Sequence, residues 1–96
     1  MDGHIFIQRK GDVKVINEYR EVLKHLSLDE LITNYNGTEK LGFLGSHQQA
    51  RHIIAIHQEF LRRISQSPIK IENNILISFK GEIKTIINNK INYERH

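Results

Sequence analysis

Cysteine is absent from this 96-residue chain. Without thiols there can be no disulfide and no thiolate metal site, and the redox compartment stays open. Proline occurs once and glycine six times, so the composition is neither collagen-like nor low in complexity. No apolar run approaches the roughly 18–20 residues of a membrane span. The opening stretch MDGHIFIQRKGD lacks the basic segment and apolar run of a secretory signal, so a cytoplasmic protein is the expectation. Aromatics make up only 7% of the chain, with no cluster of the kind that stacks nucleobases.

What is present is ordinary for a globular protein: 39% hydrophobic and 26% charged residues. Length predicts a single domain over 1–96 with one compact core and modest stability. The formal net charge of +3 leans weakly towards polyanions or acidic partners.

Periodicity divides the chain. HIFIQRK, closed by Gly11-Asp12, reads as a first strand. Val15, Ile16, Tyr19, Val22, Leu23 and Leu26 then recur at helical spacing, with Asp12 as the expected N-cap. Ser27 and Glu30 form a capping-box pattern that restarts a helix through Leu31, Ile32 and Tyr35. Asn36-Gly37 supplies a stop. After a loop, Ser46 and Gln49 repeat the capping pattern and open the longest helix, which ends near Ser65 ahead of Pro68. Beyond it, IKIE, ILISFK and EIKTII read as three strands joined at Asn73-Asn74 and Lys80-Gly81. The polar tail from about residue 88 is expected to fray. The expected fold class is α+β: a two-layer sandwich of an N-terminal strand, two or three helices and a three-stranded antiparallel meander. Its inner face would be Ile69, Ile71, Ile75, Ile77, Phe79 and Ile83, under the long helix.

The long helix carries His47, His52 and His57 at intervals of five. Five residues rotate a helix by about 140°, so the three point in different directions. Two helical ligands for one metal need a spacing of three or four; no metal and no cofactor is expected. His57 falls near the middle of the apolar face set by Ala50, Ile53, Ile54, Phe60, Leu61 and Ile64. It is the one histidine the pattern would bury, either as a core imidazole bonded to a hydroxyl or carbonyl or as the wall of a ligand or hydrolytic pocket. His52 lies opposite, in a polar sector with Arg51, Glu59, Arg62 and Arg63.

Other chemistry is thin. Ser46 and His47 are adjacent and do not face each other on a helix, and no nucleophile elbow is present. Asp29-Glu30 sits in a first helical turn, where negative charge suits the helix dipole. Gly42-Phe43-Leu44-Gly45 resembles, in that loop alone, the phosphate clamp of KH modules, yet its two apolar residues suit a loop pinned to the core. No catalytic residue is assigned, and the enzyme reading is the weaker one. The basic sector (Arg51, His52, Arg62, Arg63, with Lys40) is the candidate surface for a protein partner or a polyanion such as nucleic acid. The leading expectation is a small non-catalytic interaction module that binds a protein or self-associates through a sheet edge. Nucleic-acid binding comes second and a pocket around His57 third.

Overall fold

The computed structural model describes residues 3–94. Its elements run β1 (His4–Ile5), α1 (Asp12–Leu23), α2 (Leu28–Leu41), α3 (His47–Ile64), β2 (Ile69–Glu72), β3 (Leu76–Phe79), β4 (Ile83–Ile87) and β5 (Lys90–Tyr93). The architecture is α+β, with three helices and antiparallel strands in two sheets.

Local chemistry explains most boundaries. Gly11, at φ 89°, precedes α1, so Asp12 is the first helical residue rather than its cap. Ser27 closes both halves of its capping box: its N–H donates to Glu30 Oε1 at 2.8 Å and its Oγ accepts from the Glu30 N–H at 3.1 Å. At α3 only half the pattern forms. Ser46 Oγ accepts from the Gln49 N–H at 3.3 Å, while the Gln49 amide bonds Gly42 and Leu44 and closes the preceding loop. Ser65, at φ 60°, ends α3.

The Asn36-Gly37 stop does not operate, and α2 runs on to Leu41. Asn36 is instead engaged over a long range. Its Nδ2 donates to the Ile83 carbonyl at 3.0 Å, and its Oδ1 accepts from the Ile83 N–H at 2.8 Å. One side chain thus takes both backbone groups that a neighbouring strand would have taken. Tyr35 donates its hydroxyl proton to the Gly81 carbonyl at 2.7 Å, with the Pro68 carbonyl at 3.3 Å. Together these contacts carry the chain off β3 at Gly81, whose φ of 136° only glycine adopts readily.

The three-stranded meander is therefore corrected. β3 pairs with β2 on one side and β1 on the other, giving the order β1-β3-β2. β4 pairs with β5 in a separate two-stranded sheet. The tail expected to fray supplies β5, turned at Asn88-Asn89 with φ 52° and 60°; Arg95 and His96 lie outside the described residues. Asn73-Asn74 also has positive φ, but there three residues separate the paired Glu72 and Leu76, so Ile75 falls in the turn, 45% exposed rather than on the inner face. The core is Leu31, Tyr35, Ile53, Ile56, Phe60, Ile69 and Ile77, all fully buried.

Among the described residues no backbone ladder ties the β4–β5 hairpin to the larger sheet; Asn36 anchors it with two hydrogen bonds, and Gln66 Oε1 accepts from the Ile91 N–H at 3.1 Å. Asn36→Ala leaves Ile83 N–H and C=O unpaired and is expected to cost about 2 kcal/mol. Hydrogen exchange should then show β4 and β5 losing protection while α3 keeps it; uniform loss across all elements would refute an anchoring role.

Candidate functional site

The sequence-predicted basic sector comes first. α3 is buried on two sides, not one: Ala55 and Glu59 are as inaccessible as Ile53 and Phe60. The side expected to be wet lies under α1. Glu59, 1% exposed, receives Arg62 through Nε at 3.0 Å and a terminal nitrogen at 2.6 Å, and Arg63 Nε at 2.6 Å. Arg63 reaches on to the Leu23 carbonyl at 2.9 Å, at the end of α1. At the start of α1, Asp12 is fully buried; it accepts from the Arg9 N–H, from Arg51 Nε at 2.7 Å and from His47 Nε2 at 2.9 Å. A carboxylate only accepts, so His47 Nε2 carries a proton there. The ring also stacks on Phe6, with centroids 4.7 Å apart. All three arginines are thus bonded to carboxylates shielded from water.

Burial pushes the Asp12 carboxyl up, but the Arg9 N–H, His47 and Arg51 outweigh it and hold it down at about 2. Glu59 is likewise lowered: burial raises it, and Arg62 and Arg63 more than compensate.

The remaining residues scatter. His52 is half-buried, 3.2 Å from Asn34 Oδ1 and edge-on to Tyr19; burial lowers its pKa. Lys40 is exposed in the last turn of α2. Phe43 stacks on Phe79 at 4.5 Å, whereas Leu44, expected to help pin the loop, is 66% exposed. Among the described residues no three histidine or acidic side chains converge as a metal site.

His57 is placed differently. It is half-buried rather than sealed in the core, and its Nδ1 lies 2.7 Å from Ser67 Oγ. That oxygen also accepts the Ile69 N–H at 3.1 Å. Burial lowers the imidazole, a backbone hydrogen bond with Ile69 opposes this, and Lys80 adds to the lowering. A hydroxyl beside an imidazole is the beginning of a nucleophile–base pair. Here the oxygen is buried and already accepting, and among the described residues no carboxylate is bonded to the ring.

Two cavities meet at this histidine. The larger, about 540 Å³, has a floor of Phe6, Ile16, Ile54, Ile71 and Ile77 and a rim of Gln8, Asn17, Gln58 and Asn74. None of its lining residues is acidic or basic apart from His57 itself. The smaller, about 390 Å³, is lined by Ser67, Ile69, Lys80 and Tyr93; His57 and Leu61 border both. A wider cleft along α1 is lined largely by charged groups such as Lys14, Glu18, Arg20 and Lys24, which favour water.

Beside these cavities runs the outer edge of β2. The Lys80 N–H donates to the Pro68 carbonyl at 2.8 Å. The alternation of an antiparallel ladder then puts residues 70 and 72 on the β3 side and turns 69 and 71 outward. Ser67 occupies the Ile69 N–H. The Ile71 N–H and C=O have no backbone partner among the described residues. Sequence reasoning missed Ser67 and named a sheet edge without saying which, although Pro68 just ahead of a strand is a signal of an edge position.

Scans against family models, curated proteins and solved structures each find no match to this chain.

The shifts fix how stability responds to acid. His52 and His57 bind protons less readily when folded than the ordinary 6.5 of the free group, so stability falls as pH drops below that value. Asp12 and Glu59 are lowered from 3.8 and 4.5; their contribution, present above those values, is lost as pH falls towards 2. Urea midpoints across pH should decline in both windows. Asp12→Asn should be less stable near neutrality yet flatter between about pH 4 and 2, and an unchanged acid limb would remove Asp12 from the account.

Proposed function

We propose that the chain is a non-catalytic binding module that captures an extended peptide segment by strand addition along β2. The observation that carries this reading is the Ile71 backbone, without a backbone partner among the described residues, on a strand whose Ile71 lines the larger and Ile69 the smaller of two cavities that share His57 and Leu61. Strand addition needs those two elements: free main-chain groups for affinity, and pockets for alternate side chains for specificity. Side chains two residues apart on a strand stand about 7 Å apart on one face, a spacing suited to one side chain on either side of His57. The larger cavity's uncharged lining favours apolar or neutral polar side chains, since a buried charge would find no partner there.

Nucleic-acid binding through Arg51, Arg62 and Arg63 has less support. Each guanidinium is committed to Asp12 or Glu59, and phosphate would have to draw it from a carboxylate that then stays buried without its partner. Arg62, 53% exposed, is the freest of the three.

The test is an amide-shift titration with a capped peptide of about six alternating valines and threonines. The Ile71 amide and the side chains of Gln58 and Asn74 should move, with saturation in the micromolar to millimolar range. Ile71→Pro removes the outward donor without touching the β3 ladder and should abolish the response. Shifts confined to α1, or none, would overturn the reading.

A further inference from the structure

We infer that the strand this edge accepts is β2 of a second copy of the same chain, paired antiparallel about Ile71. The inference rests on the strand-addition reading and adds the partner. Its basis is the order of side chains, Ile69-Lys70-Ile71-Glu72. An antiparallel pair centred on Ile71 sets Ile71 against Ile71 of the second copy. Their outward N–H and C=O groups exchange two hydrogen bonds, as a directly opposed bonded pair does. The flanking positions then match Lys70 with Glu72 of the second copy, twice, by symmetry. These are non-hydrogen-bonded positions, where opposed side chains lie closest and opposite charges stabilise the pair.

Both groups are exposed, and the ion pair they make with each other is one that a second copy's strand would exchange for two cross-strand pairs. Lys70 and Glu72 are 58% and 47% exposed and lie on one face, with Nζ 3.3 Å from Oε1. Parallel pairing in register would instead stack Lys70 on Lys70 and Glu72 on Glu72. The sequence of β2 thus selects one direction and one register, as an isologous two-fold contact requires. The opposite face agrees: Ile71 is half-buried and Leu61 is 43% exposed. The pair brings the two Ile71 side chains together on the face where Leu61 of each copy stands. β1, the other edge of this sheet, has only two residues and no comparable complementarity.

Sedimentation equilibrium over micromolar to about millimolar concentration tests the inference. The native chain should show a monomer–dimer equilibrium. Lys70→Glu and Glu72→Lys, each placing like charges opposite one another at two positions, should each weaken it about tenfold. The double variant Lys70→Glu with Glu72→Lys restores complementarity and should bring the native constant back; Ile71→Pro should leave a monomer. A chain that is monomeric throughout, a dimer indifferent to Ile71→Pro, or a double variant no better than the singles would overturn this pairing. The valine–threonine peptide, titrated into the Lys70→Glu variant, separates the two claims. If it shifts Ile71 while the native chain stays monomeric, only self-pairing fails; if it does not bind, strand addition itself fails.

Discussion

Two carboxylates shielded from water, Asp12 and Glu59, govern how the helices sit. A buried carboxylate is tolerated only when cations and N–H donors surround it, and each is met by arginine from α3. Asp12 begins α1 and meets Arg51; the Leu23 carbonyl ends α1 and meets Arg63, held by Glu59. The two contacts are eleven residues apart on α1 and twelve on α3, about 17 and 18 Å of helix. The helices therefore run parallel and in step, clamped at both ends. Helix electrostatics reinforce the clamp, with an anion at the start of α1 and a guanidinium on its last carbonyl. With the arginines bonded in this way, the proposed recognition surface falls on the sheet instead.

Much of this was legible locally. The span of α3 follows from its apolar period, the Ser46 cap and Pro68. The start of α2 follows from the Ser27–Glu30 box, and the β2–β3 turn from two asparagines. The polar side of α3 was not legible, because a helical wheel separates apolar from polar positions but does not say what covers the polar ones. Arginine reads the same whether solvated or folded over a hidden carboxylate. Nor was the fate of Asn36. Beside glycine it signals a helix stop, but its amide is used on Ile83, forty-seven residues away, and no local window contains that. Strand pairing failed for a related reason. Lys80-Gly81 and Asn88-Asn89 both carry turn chemistry, and only the Tyr35 and Asn36 contacts make the second a hairpin and the first an exit.

The same contacts leave the sheet with an edge to manage. A strand edge with free N–H and C=O groups invites pairing, and proteins blunt it with short strands, charges and proline. β1 is blunted by brevity. β2 has Pro68 immediately before it and Lys70 and Glu72 on one face. A lysine alone repels any strand with a cation opposite; lysine and glutamate alternating about Ile71 repel most registers and welcome one. On the proposed pairing, the charges that protect the edge from promiscuous pairing are also what would make it selective.

Ser67 connects that edge to the imidazole. Its hydroxyl oxygen accepts the Ile69 N–H and bonds His57 Nδ1, so a single atom closes one end of the edge and orients the ring between the cavities. In the proposed strand addition, an incoming strand cannot use Ile69 as a donor while Ser67 holds it, which leaves Ile71 as the centre of pairing. Burial lowers the pKa of the ring fixed by the same oxygen, which favours its neutral form, and a neutral ring suits a cavity junction lined by uncharged side chains. Protonating it places a charge at that junction and turns Nδ1 into a donor to Ser67 Oγ, so the ring can no longer accept the Ser67 proton. In the proposed strand addition, the register and the orientation of the ring at the cavity junction therefore share one hydrogen-bonded serine.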